Sequence, residues 1–188
     1  DLMRNGDNVA ALQLRLAERV CKYLKPDALF HHDDWGSQTS TFISPEMFDE
    51  FLLPAYKQIY GYYKLHGVEL VVHHSDSYAA TLVPSMIEMG IDIWQGAIPQ
   101  NDIVEIQRIT GGRLAMVGGV DGPKIDVPTA TEADIRAEVR RAIDTYCPGG
   151  RFFPGIANGV CYIEKNNEIY LDELYRYGTQ WAQEHPVG

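Results

Sequence analysis

The stretch VELVVHHSDS, residues 68–77, decides the fold because a short apolar run ends directly in imidazole and carboxylate side chains. The run 68–72 is too short for a typical helix and is rich in β-branched residues, so it predicts a strand that is covered on both faces. Such strands belong to parallel sheets, whose functional residues gather at the carboxyl ends of the strands. We therefore expect His73, His74 and Asp76 to lie at the edge of the sheet that carries the functional site.

Strands and helices alternate on both sides of this stretch. The predicted strands are ALFHH, VELVVHH, IDIWQG, RLAMVGG and RFFPG; the predicted helices cover residues 10–23, 45–66, 78–89, 101–110, 131–146 and 168–184. Ser44 and Pro45 are typical of a helix start, and Gly67 of its end. The pattern predicts five βα units with a parallel sheet and right-handed crossovers.

Two α/β architectures fit five such units. One is an open, doubly wound sheet, and the other is five units of an eight-unit (β/α)8 barrel of the TIM type. Length alone favours the open sheet. In both, the polar stretches HHDDWGSQ, HHSDS, WQGAIPQND, GGVDGPK and PGIANG follow the strands and form one binding face.

Composition narrows the class of protein. The 188 residues are 45% hydrophobic and carry a formal charge of −10, so we expect one domain, residues 1–188, that binds neither nucleic acid nor an anionic membrane surface. No apolar run approaches the ~20 residues that span a bilayer. The three cysteines Cys21, Cys147 and Cys161 form no CxxC pair, and we expect a reducing, cytoplasmic location.

The segment DDWGSQTSTFISPEMFDEFLLPAYKQIYGYYKLHG, residues 33–67, is followed by His-x-Asp, GIDIWQG and GGVDGP. Together these motifs resemble the uroporphyrinogen decarboxylase superfamily, which includes decarboxylases and corrinoid-dependent methyltransferases. The resemblance covers nearly the whole chain. It implies a (β/α)8 barrel, of which these five units would be the C-terminal part, with roughly three N-terminal units missing.

The resemblance to the methyltransferases implies a zinc site held by a His-x-Cys pair and a later cysteine. Here the pair is His74 and Asp76, Ile156 stands at the later position, and Cys161 lies five residues beyond it. Alternate strand residues share a face, so imidazole and carboxylate can together hold zinc or another divalent metal. A third ligand would come from Asp33, Asp34 or Asn158, and we expect no thiolate ligand.

The resemblance to the decarboxylases is weaker at the functional residues of that branch. The serine that contacts a propionate in that branch is replaced by Asp34, whose carboxylate would repel an acidic substrate. The histidine of the last strand is replaced by Ile156. Decarboxylation, which would need no cofactor, is therefore the second hypothesis, and a non-catalytic ligand-binding module is the third.

The first hypothesis is an enzyme that moves a methyl group from a small methoxylated or methylated substrate to a corrinoid carried by a separate protein. The predicted catalytic residues are His74, Asp76 and Asp34; the predicted substrate-binding residues are Asp33, Trp35, Gln38, Gln95 and Asn158. An acidic mouth formed by Asp33, Asp34, Asp76, Asp102 and Asp121 favours a neutral or cationic substrate.

Structural alternatives stay open for these residues. A histidine at a buried strand end is also typical of a hydrogen-bonded core residue, and Asp33 with Asp34 also fits a loop cap. If His32 and His74 face the centre, His31 and His73 face the helical layer. The tyrosines of the helix at 45–66 fit either a homo-oligomer interface or internal packing.

Overall fold

A computed structural model describes residues 2–186, and for residues 2–8 it describes only the helical backbone. The chain divides into two compact units, one ending at Trp94 and one beginning at Gln95. The helices of the first unit are α1 (Leu2–Tyr23), α2 (Pro45–Phe51), α3 (Leu53–Leu65) and α4 (Val83–Glu88), with a 3-10 turn at Ala80–Leu82. Its strands are β1 (Ala28–His32), β2 (Leu70–His74) and the start of β3 (Ile93–Ala97). The helices of the second unit are α5 (Ile103–Thr110), α6 (Gly122–Ile125), α7 (Glu132–Tyr146) and α8 (Glu164–Glu184), with 3-10 turns at Pro99–Asn101 and Cys147–Gly149. Its strands are the rest of β3, β4 (Ala115–Val120) and β5 (Phe152–Ile156).

The five strands form one parallel sheet in the order β1-β2-β3-β4-β5. Strands that follow one another in both sequence and sheet, joined through helices, are the pattern of a (β/α)8-type barrel. A doubly wound sheet would reverse its order in the middle, so that alternative is wrong. The prediction of about five βα units of the barrel type is confirmed.

In the first unit, β1 and β2 pair in parallel from Ala28 opposite Leu70 to His32 opposite His74. Side chains alternate between the two faces of the pair. One face is covered by α3, whose buried side chains include Tyr56, Ile59, Tyr60 and Tyr63. On the other face Phe30 is 60% exposed. The unit is therefore packed on the helix side and open on the opposite side of its strands.

In the second unit, β4 and β5 pair in parallel from Met116 opposite Phe152 to Val120 opposite Ile156. Helices α7 and α8 pack against each other, and α7 also contacts both strands. At Gly119, where φ is +81°, a Cβ atom would lie 2.7 Å from the rings of Phe152 and Tyr146. Only glycine allows this close approach of strand and helix.

The helix predicted from residue 45 to Gly67 is two helices. Ser44 caps the start as predicted, since its hydroxyl accepts the Met47 N–H at 3.2 Å. The two helices meet at Leu52, between α2 and α3, although the Leu52 N–H still donates to the Phe48 carbonyl at 2.9 Å. Pro54 has no N–H to donate and its ring crowds the carbonyl four residues earlier, so one continuous helix was the wrong prediction.

The last helix begins at Glu164, four residues before the predicted start at 168. The carboxylate of Asp126 accepts the backbone N–H groups of Tyr162 and Ile163 at 2.8 and 3.0 Å. This fixes the chain just before the helix. Because Asp126 is 36 residues away from Tyr162 in sequence, no local pattern signals it.

The helix predicted over 78–89 is shorter than expected. Its α-helical part covers only Val83–Glu88, after the 3-10 turn at Ala80–Leu82. The backbone N–H of Tyr78 donates to the carbonyl of Ser37 at 2.7 Å, which holds this residue in a loop. None of the helices within residues 2–186 is long and apolar enough to cross a membrane.

Glu138 of α7 is a buried charged residue of the second unit, with its side chain 1% exposed. It accepts hydrogen bonds from Lys124 at 2.9 Å, from Arg141 and from the Asp121 N–H. Burial by itself raises the pKa of Glu138, but the hydrogen bonds from Arg141 and Lys124 outweigh it and hold the pKa below its usual range. The carboxylate is therefore ionised at neutral pH.

Replacing Glu138 by Gln removes this charge and keeps the side-chain size. We expect the free energy of unfolding at pH 7, measured by urea denaturation, to fall by about 1–3 kcal/mol. The matched control is Glu105→Gln, because Glu105 pairs with Arg108 at 2.6 Å on the exposed face of α5. An exposed pair of this kind contributes less than about 1 kcal/mol.

The difference between wild type and Glu138→Gln should also depend on pH. The folded pKa of Glu138 lies below the unfolded value of about 4.3, so its stabilisation is present above that pH and is lost as the pH falls through the folded pKa. We expect the difference to shrink toward pH 3. A difference that grows in acid, or equal effects of the two variants at pH 7, would contradict this assignment.

Candidate functional site

A cluster of two histidines and one aspartate lies at the carboxyl ends of β1 and β2. His32, Asp34 and His74 bring one possible ligand atom each within 4.8 Å of the others. The rings of His32 and His74 are 4.2 Å apart, edge to face, because their strands pair them directly. His32 Nε2 is 3.4 Å from Asp34 Oδ2. Two imidazoles and a carboxylate are donors that could hold a divalent transition metal.

Backbone hydrogen bonds tie the loop after β1 to the loop after β2 and so position the cluster. The Asp33 N–H donates to the His74 carbonyl at 3.2 Å. The Asp76 N–H donates to Asp34 Oδ1, also at 3.2 Å. Asp34 is therefore held by the neighbouring loop through one oxygen, while its other oxygen faces His32.

Gly36 allows the two loops to approach. A Cβ atom at this position would lie 2.6 Å from the carbonyl oxygens of both Ser40 and Tyr78, closer than real Cβ atoms come to backbone. Beside it, the Trp35 N–H donates to Ser75 Oγ at 3.4 Å. The loop after β1 is thus fastened on both sides of Asp34.

A buried aromatic layer lies beneath the cluster, between the strands and α3. Trp35 is 4% exposed and stacks on His73 with ring centroids 3.9 Å apart. Its indole N–H donates to the Tyr56 hydroxyl at 3.1 Å, and Tyr56 in turn donates to the carboxylate of Asp33. Trp35 and Asp33, both predicted to bind substrate, are therefore engaged in holding the end of β1.

A relay of hydrogen bonds runs through the same layer. Tyr60 OH lies 2.7 Å from His31 Nδ1 and 2.8 Å from His73 Nδ1, and His73 Nε2 lies 3.0 Å from the Asp33 carbonyl. A carbonyl only accepts, so His73 carries its proton on Nε2 and accepts at Nδ1 from Tyr60. The Tyr60 oxygen must then accept from His31. One arrangement of protons is thus consistent with all three hydrogen bonds.

Burial fixes the protonation states of this relay. It lowers the pKa of His73 to about 3, and it also lowers the pKa of His31. It raises the pKa of Tyr60 far above its usual value. At neutral pH His73 is therefore a neutral imidazole and Tyr60 keeps its proton, in agreement with the directions of the hydrogen bonds. The relay is therefore a hydrogen-bonded support without net charge.

The structure brings together two of the three predicted catalytic side chains, His74 and Asp34. Asp76, the third, is half-buried and approaches Asp34 through its backbone. His32 was not predicted as a ligand. Its signal lies in the pairing of ALFHH with LVVHH, since two parallel strands that both end in His-His place the second histidines side by side.

The remaining predicted substrate-binding residues lie away from this cluster in sequence. Gln38 is exposed in the loop after β1. Gln95 and Asn158 belong to the second unit, where Gln95 Nε2 donates to the Ala157 carbonyl at 2.7 Å and Asn158 is exposed after β5. Asp102, part of the predicted acidic mouth, caps α5 by accepting the Glu105 N–H. The contacts of these residues with a substrate stay predictions.

Comparisons with known proteins agree with this fold. The family model described as Uroporphyrinogen decarboxylase (URO-D) matches residues 15–162. Among solved structures, a methyltransferase from Methanosarcina mazei matches with a TM-score of 0.67 and 18% sequence identity, over 92% of this chain and 48% of that one. The chain thus spans about half the length of that methyltransferase. A search of curated proteins found no match.

Tyr60 gives a test of the relay. The Tyr60→Phe variant keeps the ring but leaves the His73 Nδ1 acceptor and the His31 donor without this hydroxyl, so we expect a loss of about 1–3 kcal/mol in the free energy of unfolding. Urea denaturation at pH 7 measures it.

The control for that variant is Tyr175→Phe. Tyr175 is 77% exposed on α8, and removal of its hydroxyl should change stability by less than about 0.5 kcal/mol. If Tyr60→Phe were as harmless as the control, the hydroxyl would not be the link between His31 and His73.

Proposed function

Because this chain belongs to the uroporphyrinogen decarboxylase family, we propose that it is an enzyme that moves a methyl group from a small methoxylated compound to a corrinoid carried by a separate protein. The observation that carries the proposal is the cluster of His32, Asp34 and His74 at the carboxyl ends of β1 and β2. The fold shared with a methyltransferase supports the same choice.

The charge of the site supports a neutral substrate. Asp33, Asp34 and Asp76 follow the ends of β1 and β2, and the whole chain has a formal charge of −10. Carboxylates at a binding site repel a polyanion and tolerate a neutral ether. A methoxylated compound meets this condition better than a substrate that carries several carboxylates.

The cluster contains acid, base and metal-binding groups of the kind that ether demethylation requires. When the methyl group leaves, the ether oxygen keeps a negative charge that must be neutralised. We assign this task to His74, Asp34 and Asp76. Without a bound ion, the His74 imidazole would pass a proton to the oxygen, and the carboxylates of Asp34 and Asp76 would stabilise the imidazole in its protonated form. A divalent ion, zinc or another, would fit the two imidazoles and the carboxylate and would supply Lewis-acid polarisation of the oxygen.

Decarboxylation of a porphyrinogen is the second candidate, favoured by the family whose model the chain matches. That reaction acts on a substrate with several carboxylates. Asp34 is fixed at the cluster by the Asp76 N–H and lies 39% exposed, so its charge faces any incoming ligand. We therefore rank methyl transfer first.

The proposal predicts methyl transfer in a defined assay. The purified protein is incubated with methoxylated compounds and a reduced corrinoid protein, and methylation is followed by the change in corrinoid absorbance. His74→Ala, Asp34→Asn and Asp76→Asn should each lower turnover at least about 100-fold, the usual contribution of a positioned acid or base. Asp76→Asn should leave the thermal unfolding midpoint nearly unchanged.

The matched control is Asp27→Asn, which removes an exposed carboxylate just before β1, at the end of the strand opposite the cluster. It should keep full turnover. Absence of methylation with every donor, together with decarboxylation of a porphyrinogen, would support the second candidate. Ligand binding without any turnover would support a binding module instead.

A further inference from the structure

We infer that His32, Asp34 and His74 are the three protein ligands of a divalent transition-metal ion, and that Asp76 orients Asp34 through its main-chain N–H without being a ligand. The inference deepens the proposed function and rests on it for the ion's use in catalysis, whereas binding of the ion can be measured without turnover. It replaces the ligand pair His74 and Asp76 that the His-x-Asp motif indicates.

The spacing of the donor atoms is the first argument. Metal–nitrogen and metal–oxygen bonds of about 2.0–2.2 Å place neighbouring ligand atoms roughly 3 Å apart. His32 Nε2 and Asp34 Oδ2 are already 3.4 Å apart, and the set of three stays within 4.8 Å. The His32 side chain is 61% exposed and can rotate toward an ion without repacking the core.

The second argument is that the two carboxylate oxygens of Asp34 have different partners. Oδ1 accepts the Asp76 N–H, and Oδ2 is directed at His32. Carboxylates that bind metals are commonly held in this way, with one partner outside the metal shell fixing their orientation. Among the side chains described for residues 9–186, the group of His32, Asp34 and His74 is the one found with suitable spacing, and Asp76 is not a member.

The third argument is the chemistry of the donors. Two imidazoles and one carboxylate suit first-row transition ions such as Zn²⁺ or Fe²⁺, whereas Ca²⁺ and Mg²⁺ prefer oxygen ligands throughout. Three protein ligands leave coordination positions open, which is typical of catalytic rather than structural zinc sites. The strand register sets the two histidines side by side through the main chain, so little of the chain must be ordered on binding.

The experiment uses the protein stripped of metal with a chelator. Zn²⁺ is titrated by calorimetry and Co²⁺ by visible absorption, in separate samples. We expect one ion per chain. His32→Ala, Asp34→Asn and His74→Ala should each weaken Zn²⁺ binding at least about tenfold, the smallest effect expected from disturbing a metal's ligand shell.

Two variants are matched controls. Asp76→Asn keeps the main-chain N–H and should retain Zn²⁺ affinity within about threefold, as should His66→Ala, which removes an exposed imidazole beyond the C-terminal end of α3. Circular dichroism checks the fold of each variant. His32→Ala is decisive because its side chain is exposed and its loss leaves the core intact.

Each outcome decides the ligand set. No binding of Zn²⁺ or Co²⁺ by the wild type, or unchanged affinity in His32→Ala, overturns the inference and leaves only an exposed contact between His32 and Asp34. Loss of binding in Asp76→Asn restores the ligand pair of the motif. Metal binding as expected without methyl transfer overturns the proposed function alone, and methyl transfer by metal-free protein overturns the ion's use in catalysis while the measured ligand set stands.

Discussion

The parallel register of β1 and β2 is the constraint on which the site depends. It sets His31 beside His73 and His32 beside His74, so one pairing delivers four imidazoles in two layers. The first pair faces α3 and joins Tyr60, and the second pair faces away and joins Asp34. A slip by one residue would exchange the faces of every side chain on one strand, and both layers would be lost together.

The lower layer explains how an exposed cluster can have defined geometry. Asp33 is held twice, with its carbonyl bound by the neutral His73 imidazole and its carboxylate bound by Tyr56. Because Asp34 is the next residue, its backbone is also fixed in position. Trp35 then stacks on His73 and closes the layer. The polar groups of the layer are paired with one another, which is the condition for burying them at low cost.

Local sequence determined much of this structure, and the exceptions are instructive. The β-branched run before His74 and the cap at Ser44 could be predicted because their causes lie within a few residues. The break at Pro54 was equally local and was overlooked. In contrast, the start of α8 depends on Asp126, and the role of His32 depends on the register between two distant segments. Neither can be obtained from a motif, because a motif describes one segment and these features need two.

The tight packing around Gly36 constrains which related proteins can retain such a site. Any larger residue there would push apart the carbonyl oxygens of Ser40 and Tyr78, and with them the loops that carry Asp34 and the Asp76 N–H. A substitution that changes neither charge nor polarity could thus release the carboxylate from its orientation. In distant members of this family, a side chain at the corresponding position would mark the loss of the cluster even where both histidines and the aspartate are retained.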